Sequence, residues 1–511
     1  MSYFEENRSS PNLSRQSVHS GLVLVVARGV NAVIQIGSII FLARLLAPSD
    51  FGLFAMVSAL TGIAQPLLEL GLSDATVQRS KITHGEMSAL FWLTAGLGFL
   101  LTALVALASP LIAGFYHEPR LQMITIASSL YLALSALSLQ HQALLRRSMM
   151  FHKIAVIEIT ANVFGTSGAV AMALAGSGYW ALVFRPILTA FFTVVVVWLS
   201  CRWIPGIGSF SQGVKEMIRF GSHITGFTIT DYVGRAADRV GLGYTTGANE
   251  LGYYQSACVL YENPLGIFAN PLHSVAVASL SKLRDNLEEL RRSWSTALSS
   301  LTFFAMPAFV ILAVTAPDLV VLLLGDKWVQ AGTILSIVAL RGPAHIVERT
   351  LGWLHVTAGR ADRWMRWGLM SSLAQVIALL FGLPFGAIGI ATSYTVFMYV
   401  MFVPAIVYAG RPLGIGLSHL TKVVGPQLAG ALCAAITGFV LRFTWLAAIP
   451  WTVRIALLIL ACAISYLLVT VAVFRVTRPF MVASSLFQDI EIIRFFRFLR
   501  LGLVSPNSKT K

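Results

Sequence analysis

Charged side chains recur at helical spacing within an otherwise apolar stretch, residues 219–254. Asp231, Arg235, Asp238 and Arg239 follow an i, i+4, i+7, i+8 pattern and share an arc of roughly 100° on a helix. A charge at the bilayer centre costs about 2.5–3.5 kcal/mol on insertion scales. Salt bridges between helix neighbours account for part of the pattern. We predict that this face also lines a polar transport cavity.

Other long apolar segments carry similar groups, and the segment with Arg341 and His345 repeats the same spacing. Arginine predominates, and its planar guanidinium suits two-point binding of phosphate or carboxylate. The sequence therefore predicts an arginine-rich cavity for an anionic, partly hydrophilic substrate. The predicted substrate-binding residues are Arg28, Asn31, Arg185, Arg235, Arg239, Arg341 and Arg349.

A second set of titratable residues is assigned to proton or ion coupling or to charge balance. Its members are Glu158, Asp231, Asp238, Glu262, His345 and Glu348. Simpler interpretations stay open for several candidates. Arg28 and Arg349 can extend to a membrane interface, His345 can be a packing residue, and Glu158 can neutralise a neighbouring arginine.

The elements that position these residues are predicted membrane spans. The chain has 511 residues, of which 56% are hydrophobic and 12% charged, and a soluble protein cannot bury that much apolar surface. We predict an all-α polytopic membrane protein with about fourteen transmembrane helices. They are expected near 21–46, 50–72, 86–114, 120–145, 153–176, 178–200, 216–244, 250–279, 295–324, 330–358, 364–383, 385–409, 419–441 and 451–474.

The connections between spans set the orientation. Lysine and arginine concentrate in the connections after even-numbered spans, so the positive-inside rule places those connections and both termini in the cytoplasm. The net charge of +15 is thus a topology signal and a contact for anionic lipids, and no nucleic-acid partner is expected.

An internal repeat divides the chain. Ala47–Phe54 and Gly247–Tyr254 share the pattern small-x-x-acid-apolar-Gly-x-aromatic, 200 residues apart at equivalent places in the span order. Turn chemistry explains each copy alone, but not the shared offset. We predict two parallel six-helix bundles around a central cavity, plus two extra C-terminal helices. The predicted domains are a cytoplasmic tail at 1–20, the bundles at 21–205 and 206–410, the extra helices at 411–475, and a basic tail at 476–511, either an interfacial helix or disordered.

The sequence lacks the motifs of several enzyme and metal-binding classes. There is no Walker A sequence, HExxH or GxSxG, so an enzyme is not expected. The four cysteines form no CxxC or His/Cys cluster, so neither a metal site nor a cofactor is predicted.

Several stretches resemble a known family. ARLLAPSDFGLFAMVSAL (43–60), LGLSDATVQ (70–78), QALLRRSMMFHKIAVIEI (142–159), GSGYWALV (176–183) and GRAADRVGLGYTTGANELGYYQSA (234–257) are similar to signatures of bacterial polysaccharide transporters, the Wzx-type O-antigen and exopolysaccharide flippases. The succinoglycan-transporter branch looks nearest. This family belongs to the multidrug/oligosaccharidyl-lipid/polysaccharide (MOP) superfamily.

The resemblance implies a flippase for an undecaprenyl-pyrophosphate-linked oligosaccharide in the bacterial inner membrane. Membrane lipids, and possible polysaccharide polymerase and export proteins, are the implied partners. Three alternatives stay open: a cation-coupled multidrug exporter of the same superfamily, a non-transporting scaffold for a polysaccharide synthesis complex, and a flippase for the peptidoglycan precursor.

Overall fold

The computed structural model describes residues 13–79, 82–209, 211–281, 283, 286–357, 360–476 and 479. This part of the chain contains α-helices, short 3₁₀ turns and one π-helical segment, and no β-strand. The α-helices are α1 (Leu13–Leu45), α2 (Pro48–Thr61), α3 (Ala64–Glu69), α4 (Leu72–Gln78), α5 (His84–Leu107), α6 (Ser109–Tyr116), α7 (Arg120–Arg147), α8 (Phe151–Leu174), α9 (Trp180–Cys201), α10 (Gln212–Thr246), α11 (Ala248–Ser281), α12 (Leu287–Leu324), α13 (Val329–Leu340), α14 (Gly342–Thr357), α15 (Ala361–Gly382), α16 (Gly386–Gly410), α17 (Leu417–Phe443) and α18 (Trp451–Leu467).

Each of the fourteen predicted spans coincides with one of these helices or with consecutive helices. The second span is α2 with α3, the third is α5 with α6, and the tenth is α13 with α14. By length and composition, nine helical segments of the described residues could cross a membrane, and one of these, Asp362–Leu413, contains both α15 and α16. The prediction of an all-α polytopic membrane protein is confirmed.

The contacts divide the chain into two compact units. The first unit comprises Met1–Leu260, Leu319–Leu335 and Ser372–Tyr394, and the second comprises Tyr261–Asp318, Ser336–Ser371 and Thr395–Lys511. The domain boundaries drawn from the repeat stay a prediction. The C-terminal tail at 476–511 lies outside the described residues except for residues 476 and 479.

A buried apolar core in the first unit joins α4, α5, α7, α8 and α9. Phe91, Leu144 and Trp203 are among its members, each at most 5% exposed. Burying a large apolar side chain contributes about 1.5–3 kcal/mol. The start of α5 is fixed by a capping box: the Thr83 hydroxyl accepts from the Glu86 amide at 3.2 Å, and the Glu86 carboxylate accepts from the Thr83 amide at 3.0 Å.

In the second unit, hydroxyl groups bind backbone carbonyls of neighbouring helices. Tyr466 on α18 donates to the Phe303 oxygen on α12 at 2.9 Å, and Ser336 on α13 donates to the Ala313 oxygen on α12 at 2.6 Å. Buried hydroxyls need such acceptors, because an unpaired polar group in an apolar interior costs roughly 1–3 kcal/mol. The helix α12 is therefore hydrogen-bonded to both α13 and α18.

Candidate functional site

A hydrogen-bonded amide chain joins α1 to α8 in the first unit. Asn31, 8% exposed, donates its amide to Oε2 of Glu158 at 3.3 Å and accepts from the Asn162 amide at 3.1 Å. The structure thus brings together two of the predicted site residues. Arg28 is exposed on α1 and Arg185 is half-buried on α9. A polar group inside a span is costly unless paired, and the amide chain supplies the pairing for Asn31 and Glu158.

The predicted charged face of α10 also contacts neighbouring helices. Asp238 accepts a 2.7 Å hydrogen bond from the Tyr254 hydroxyl on α11 and a 2.8 Å bond from the Arg239 amide. Arg235 is exposed and Arg239 is half-buried. The side chain of Asp231 lies outside the described residues. Asp238 is therefore paired with a side chain of a neighbouring helix, Tyr254 on α11.

Tyr232, on the same helix, was not among the predicted site residues. Its hydroxyl donates to the backbone oxygens of Ser58 at 2.7 Å and Ala59 at 3.1 Å, both on α2. A hydroxyl-bearing aromatic within an apolar helix is the signal that could have identified it, since a buried tyrosine hydroxyl usually has a partner. Tyr232 connects α10 to α2, the helix that opens with the first copy of the repeat.

The two copies of the repeat contact each other within the first unit, and they do so reciprocally. A Cβ added to Gly52 would lie 2.8 Å from the Ala248 Cα and closer still to its carbonyl oxygen. A Cβ added to Gly252 would lie 2.7 Å from the Pro48 carbonyl carbon. Because residues 48 and 52 correspond to residues 248 and 252, the contact has the twofold form of an isologous interface.

The acidic residue of each copy accepts a hydrogen bond from a backbone amide at the start of a helix. Asp50 accepts from the Ala47 amide at 2.9 Å and so caps the start of α2. Glu250 accepts from the Ala387 amide at 3.1 Å, at the start of α16. Carboxylates at helix N-termini are favoured by unpaired amide groups and by the helix dipole. The local turn chemistry that the sequence suggested is therefore present at Asp50, whereas Glu250 caps a distant helix, α16.

In the second unit, Arg341 and His345 gather around a tyrosine that the sequence analysis did not select. The Tyr261 hydroxyl lies 2.8 Å from Nδ1 of His345, and the Arg341 guanidinium carbon lies 4.6 Å from the centre of the tyrosine ring. The ring face attracts a cation at this distance. Glu348 and Arg349 follow His345 on α14; Glu348 is half-buried and Arg349 is exposed.

The remaining candidate of this unit is Glu262, which is exposed on α11 next to Tyr261. No cluster of three or more histidine, cysteine, aspartate or glutamate side chains suitable for a metal ion occurs among the described residues.

One buried ionic cluster was missed. Asp318 on α12 binds two arginines: Arg442 on α17 at 2.7 Å, and Arg454 on α18 at 2.5 Å and 3.0 Å. The Arg442 guanidinium also donates to the Val314 oxygen at 2.9 Å. The signal was a carboxylate within an apolar run, directly after Pro317. This cluster joins the two C-terminal helices to α12.

The helical architecture has counterparts among solved structures. The fold matches a lipid II flippase, MurJ, in its inward closed conformation, with a TM-score of 0.70 and 15% identity over 89% of this chain and 99% of that chain. It also matches an inward-facing multidrug-resistance MATE transporter of the MOP superfamily, with a TM-score of 0.56 and 12% identity over 76% of this chain and 98% of that chain. The chain therefore shares the fold of these two membrane proteins.

The sequence narrows this class to one family. Residues 41–332, more than half of the chain, match the model of a polysaccharide biosynthesis protein family, and the chain belongs to that family. The teichuronic acid biosynthesis protein TuaB of Bacillus subtilis (strain 168) is 24% identical over 473 residues, which are 92% of this chain and 98% of that protein. The predicted family resemblance is confirmed.

Proposed function

We propose that this protein flips an undecaprenyl-pyrophosphate-linked oligosaccharide across the bacterial inner membrane, for exopolysaccharide or lipopolysaccharide biosynthesis. One combination of observations carries the proposal. The family and the near full-length relative are named for polysaccharide synthesis, and the fold is shared with a protein named as a lipid II flippase. A polysaccharide precursor attached to a lipid carrier is a substrate that agrees both with the polysaccharide-synthesis names and with the name of the lipid flippase.

The charges of the candidate site support an anionic headgroup. Guanidinium groups bind pyrophosphate oxygens by paired, charge-assisted hydrogen bonds. We assign that contact to Arg28, Asn31, Arg185, Arg235, Arg239, Arg341 and Arg349, in an arginine-rich cavity. Proton or ion coupling, or charge balance, is assigned to Glu158, Asp231, Asp238, Glu262, His345 and Glu348.

The reciprocal contact of the repeat supports transport by alternating access. The positive-inside rule predicts both termini in the cytoplasm, which places the connection between α1 and α2 on the opposite side of the membrane. Pro48, Gly52, Ala248 and Gly252 touch at that side in the described conformation. Release of a headgroup there requires the two copies to separate. The contact is thus the part of the first unit that the transport cycle has to open.

Two arginine substitutions test the site. Arg235→Ala and Arg349→Ala each remove an exposed guanidinium from a different unit. In the bound state each guanidinium is expected to pair with a substrate phosphate away from water. Loss of one partner of such a pair costs about 2–5 kcal/mol, which lowers the affinity for the substrate by a factor on the order of thirty or more. We expect loss of polymer, accumulation of lipid-linked oligosaccharide in the cytoplasmic leaflet, and normal amounts of protein in the membrane.

The matched control is Arg292→Ala, which removes an exposed arginine that pairs with Glu288 on its own helix. This variant is expected to make normal amounts of polymer. Full polymer yield from both Arg235→Ala and Arg349→Ala would refute the assigned site. Polymer loss from the control alone would instead favour a scaffold that acts through its cytoplasmic connections, with polymerase or export proteins as partners.

A second candidate is a multidrug exporter, favoured by the fold match to a MATE transporter. Such proteins move organic cations, for which an acidic or aromatic cavity is the better partner. The two functions predict different deletion phenotypes. Increased drug susceptibility with unchanged polymer supports the exporter, whereas lost polymer with unchanged susceptibility supports the flippase.

A further inference from the structure

A non-helical strap, residues 202–209, connects α9 to the segment before α10 and lies against the first turns of α5. The Gly206 amide donates to the Ser88 hydroxyl at 2.9 Å, and its carbonyl accepts from the Trp92 indole at 3.0 Å. The Ser209 amide donates to the Gly85 oxygen at 2.9 Å. These backbone groups are satisfied by protein, which is the condition for irregular backbone at the level of a membrane.

Side-chain packing fixes the same strap. Trp203 is buried in the core of the first unit, and its carbonyl oxygen lies 3.1 Å from Nε2 of His141. A Cβ added to Gly208 would lie 2.8 Å from the Ala89 Cα, so only glycine allows this close approach. The strap is therefore held in one conformation on α5.

The outer face of the strap is strongly apolar. Ile207 is 96% exposed and Ile204 is 75% exposed, although both belong to a segment whose backbone is fixed. Trp92, 56% exposed, lies beside them, because its indole binds Gly206. Leu199, near the end of α9, is 70% exposed and continues this surface onto a candidate membrane span. Large exposed apolar surfaces mark interaction sites.

Exposed cations flank the strap along the chain. Arg202 directly precedes Trp203 and is exposed, and Lys215 and Arg219 are exposed on the first turns of α10. Glu216 is the exposed acidic residue between them. The positive-inside rule predicts this connection in the cytoplasm, where anionic lipids attract basic segments near a span.

We propose that the strap is a lipid-binding anchor in the cytoplasmic leaflet. Ile204 and Ile207 enter the boundary between headgroups and acyl chains beside Trp92, and Arg202 and Lys215 bind anionic lipid phosphates. Two observations favour a lipid surface over a protein partner: the apolar face continues the exposed surface of a candidate span, and the amide and carbonyl of Gly206 and the amide of Ser209 already have protein partners. The proposal goes beyond transport, since it assigns a binding surface outside the candidate site.

The test places a fluorescent NBD label at Ile207→Cys in the full chain reconstituted in nanodiscs. The background has alanine in place of the native cysteines Cys201, Cys258, Cys433 and Cys462. Doxyl-labelled phosphatidylcholine quenches a label in the acyl region, and iodide quenches a label in water. The reference is the same label at Asn286→Cys, an exposed position just before α12.

We expect doxyl lipid to quench the label at position 207 several-fold more than the label at 286, and iodide to show the reverse. Adding phosphatidylglycerol should strengthen the doxyl quenching, and Arg202→Gln with Lys215→Gln should remove that increase. Iodide quenching equal to that at position 286 overturns the proposal. Protection from both quenchers also overturns it, because the label would then be buried against protein, either within this chain or against a second copy. Ile204→Cys repeats the measurement should the first variant not fold.

Discussion

Adding one methyl group at Gly52 or Gly252 should shift the conformation of the protein. Ordinary contact of a Cβ begins at 3.4 Å, whereas the added atom would lie 2.8 Å from the Ala248 Cα in one case and 2.7 Å from the Pro48 carbonyl carbon in the other. Both obstacles are backbone atoms, and the carbonyl oxygens of Ala248 and Pro48 lie closer still, so the segments must retreat by well over half an ångström. Overpacking of this kind costs about 1–3 kcal/mol.

That cost applies only while the two copies of the repeat touch. A conformation in which they separate is not penalised, so Gly52→Ala and Gly252→Ala should each shift the ratio of touching to separated states by about 5- to 150-fold. The reciprocity of the contact predicts effects of the same sign and similar size. Gly37→Ala and Gly96→Ala are matched controls, because a Cβ at either position meets no atom within 4 Å.

Nitroxide labels at Ser49→Cys and Asn249→Cys, in a background without native cysteines, report the contact through dipolar broadening of their spectra. The broadening should decrease in both alanine variants and persist in both controls. Unchanged spectra together with parental transport would refute the reasoning. A lower thermal unfolding midpoint with unchanged spectra would also refute it, because the contact would then be a permanent part of the fold.

Two further substitutions test pairings seen in the structure. Asp318→Ala leaves Arg442 and Arg454, whose side chains are 12% and 18% exposed, without their carboxylate, so thermal unfolding in detergent should show a loss of about 3–5 kcal/mol. A loss below about 1 kcal/mol would mean that water replaces the carboxylate. Tyr254→Phe removes the hydroxyl that binds Asp238 and should lower the unfolding free energy by about 1.5–3 kcal/mol in the same measurement. Unchanged stability would show that Asp238 finds another donor.

The sequence predicted those features that depend on local chemistry. The two copies of the repeat predicted two alike helix starts, and α2 and α11 begin at Pro48 and Ala248, 200 residues apart. The third span was expected from residue 86, and α5 begins at His84 because the Thr83–Glu86 capping box sets its first turn. In each case the residues that determine the structure are neighbours in the chain.

Contacts between distant helices could not be predicted in this way. A repeat shows which segments resemble each other, but not that Gly52 and Gly252 make them touch. The sequence assigned Asn31 and Glu158 to two different predicted spans. Only tertiary packing brings the Asn31 amide to 3.3 Å from the Glu158 carboxylate. The single sequence contained both residues, but no pattern linked positions 127 residues apart.

The ion cluster at Asp318 has a consequence for how this architecture can be shortened. A chain ending before α17 would lose both arginines and leave a bare carboxylate on α12, in an apolar setting that tolerates unpaired charge poorly. Truncation before α17 is therefore expected to destabilise α12 unless Asp318 is replaced in the same step. The appended helices are thus tied to α12 by this carboxylate in addition to the hydrogen bond from Tyr466 to Phe303, so charge balance on α12 depends on residues outside the two predicted bundles.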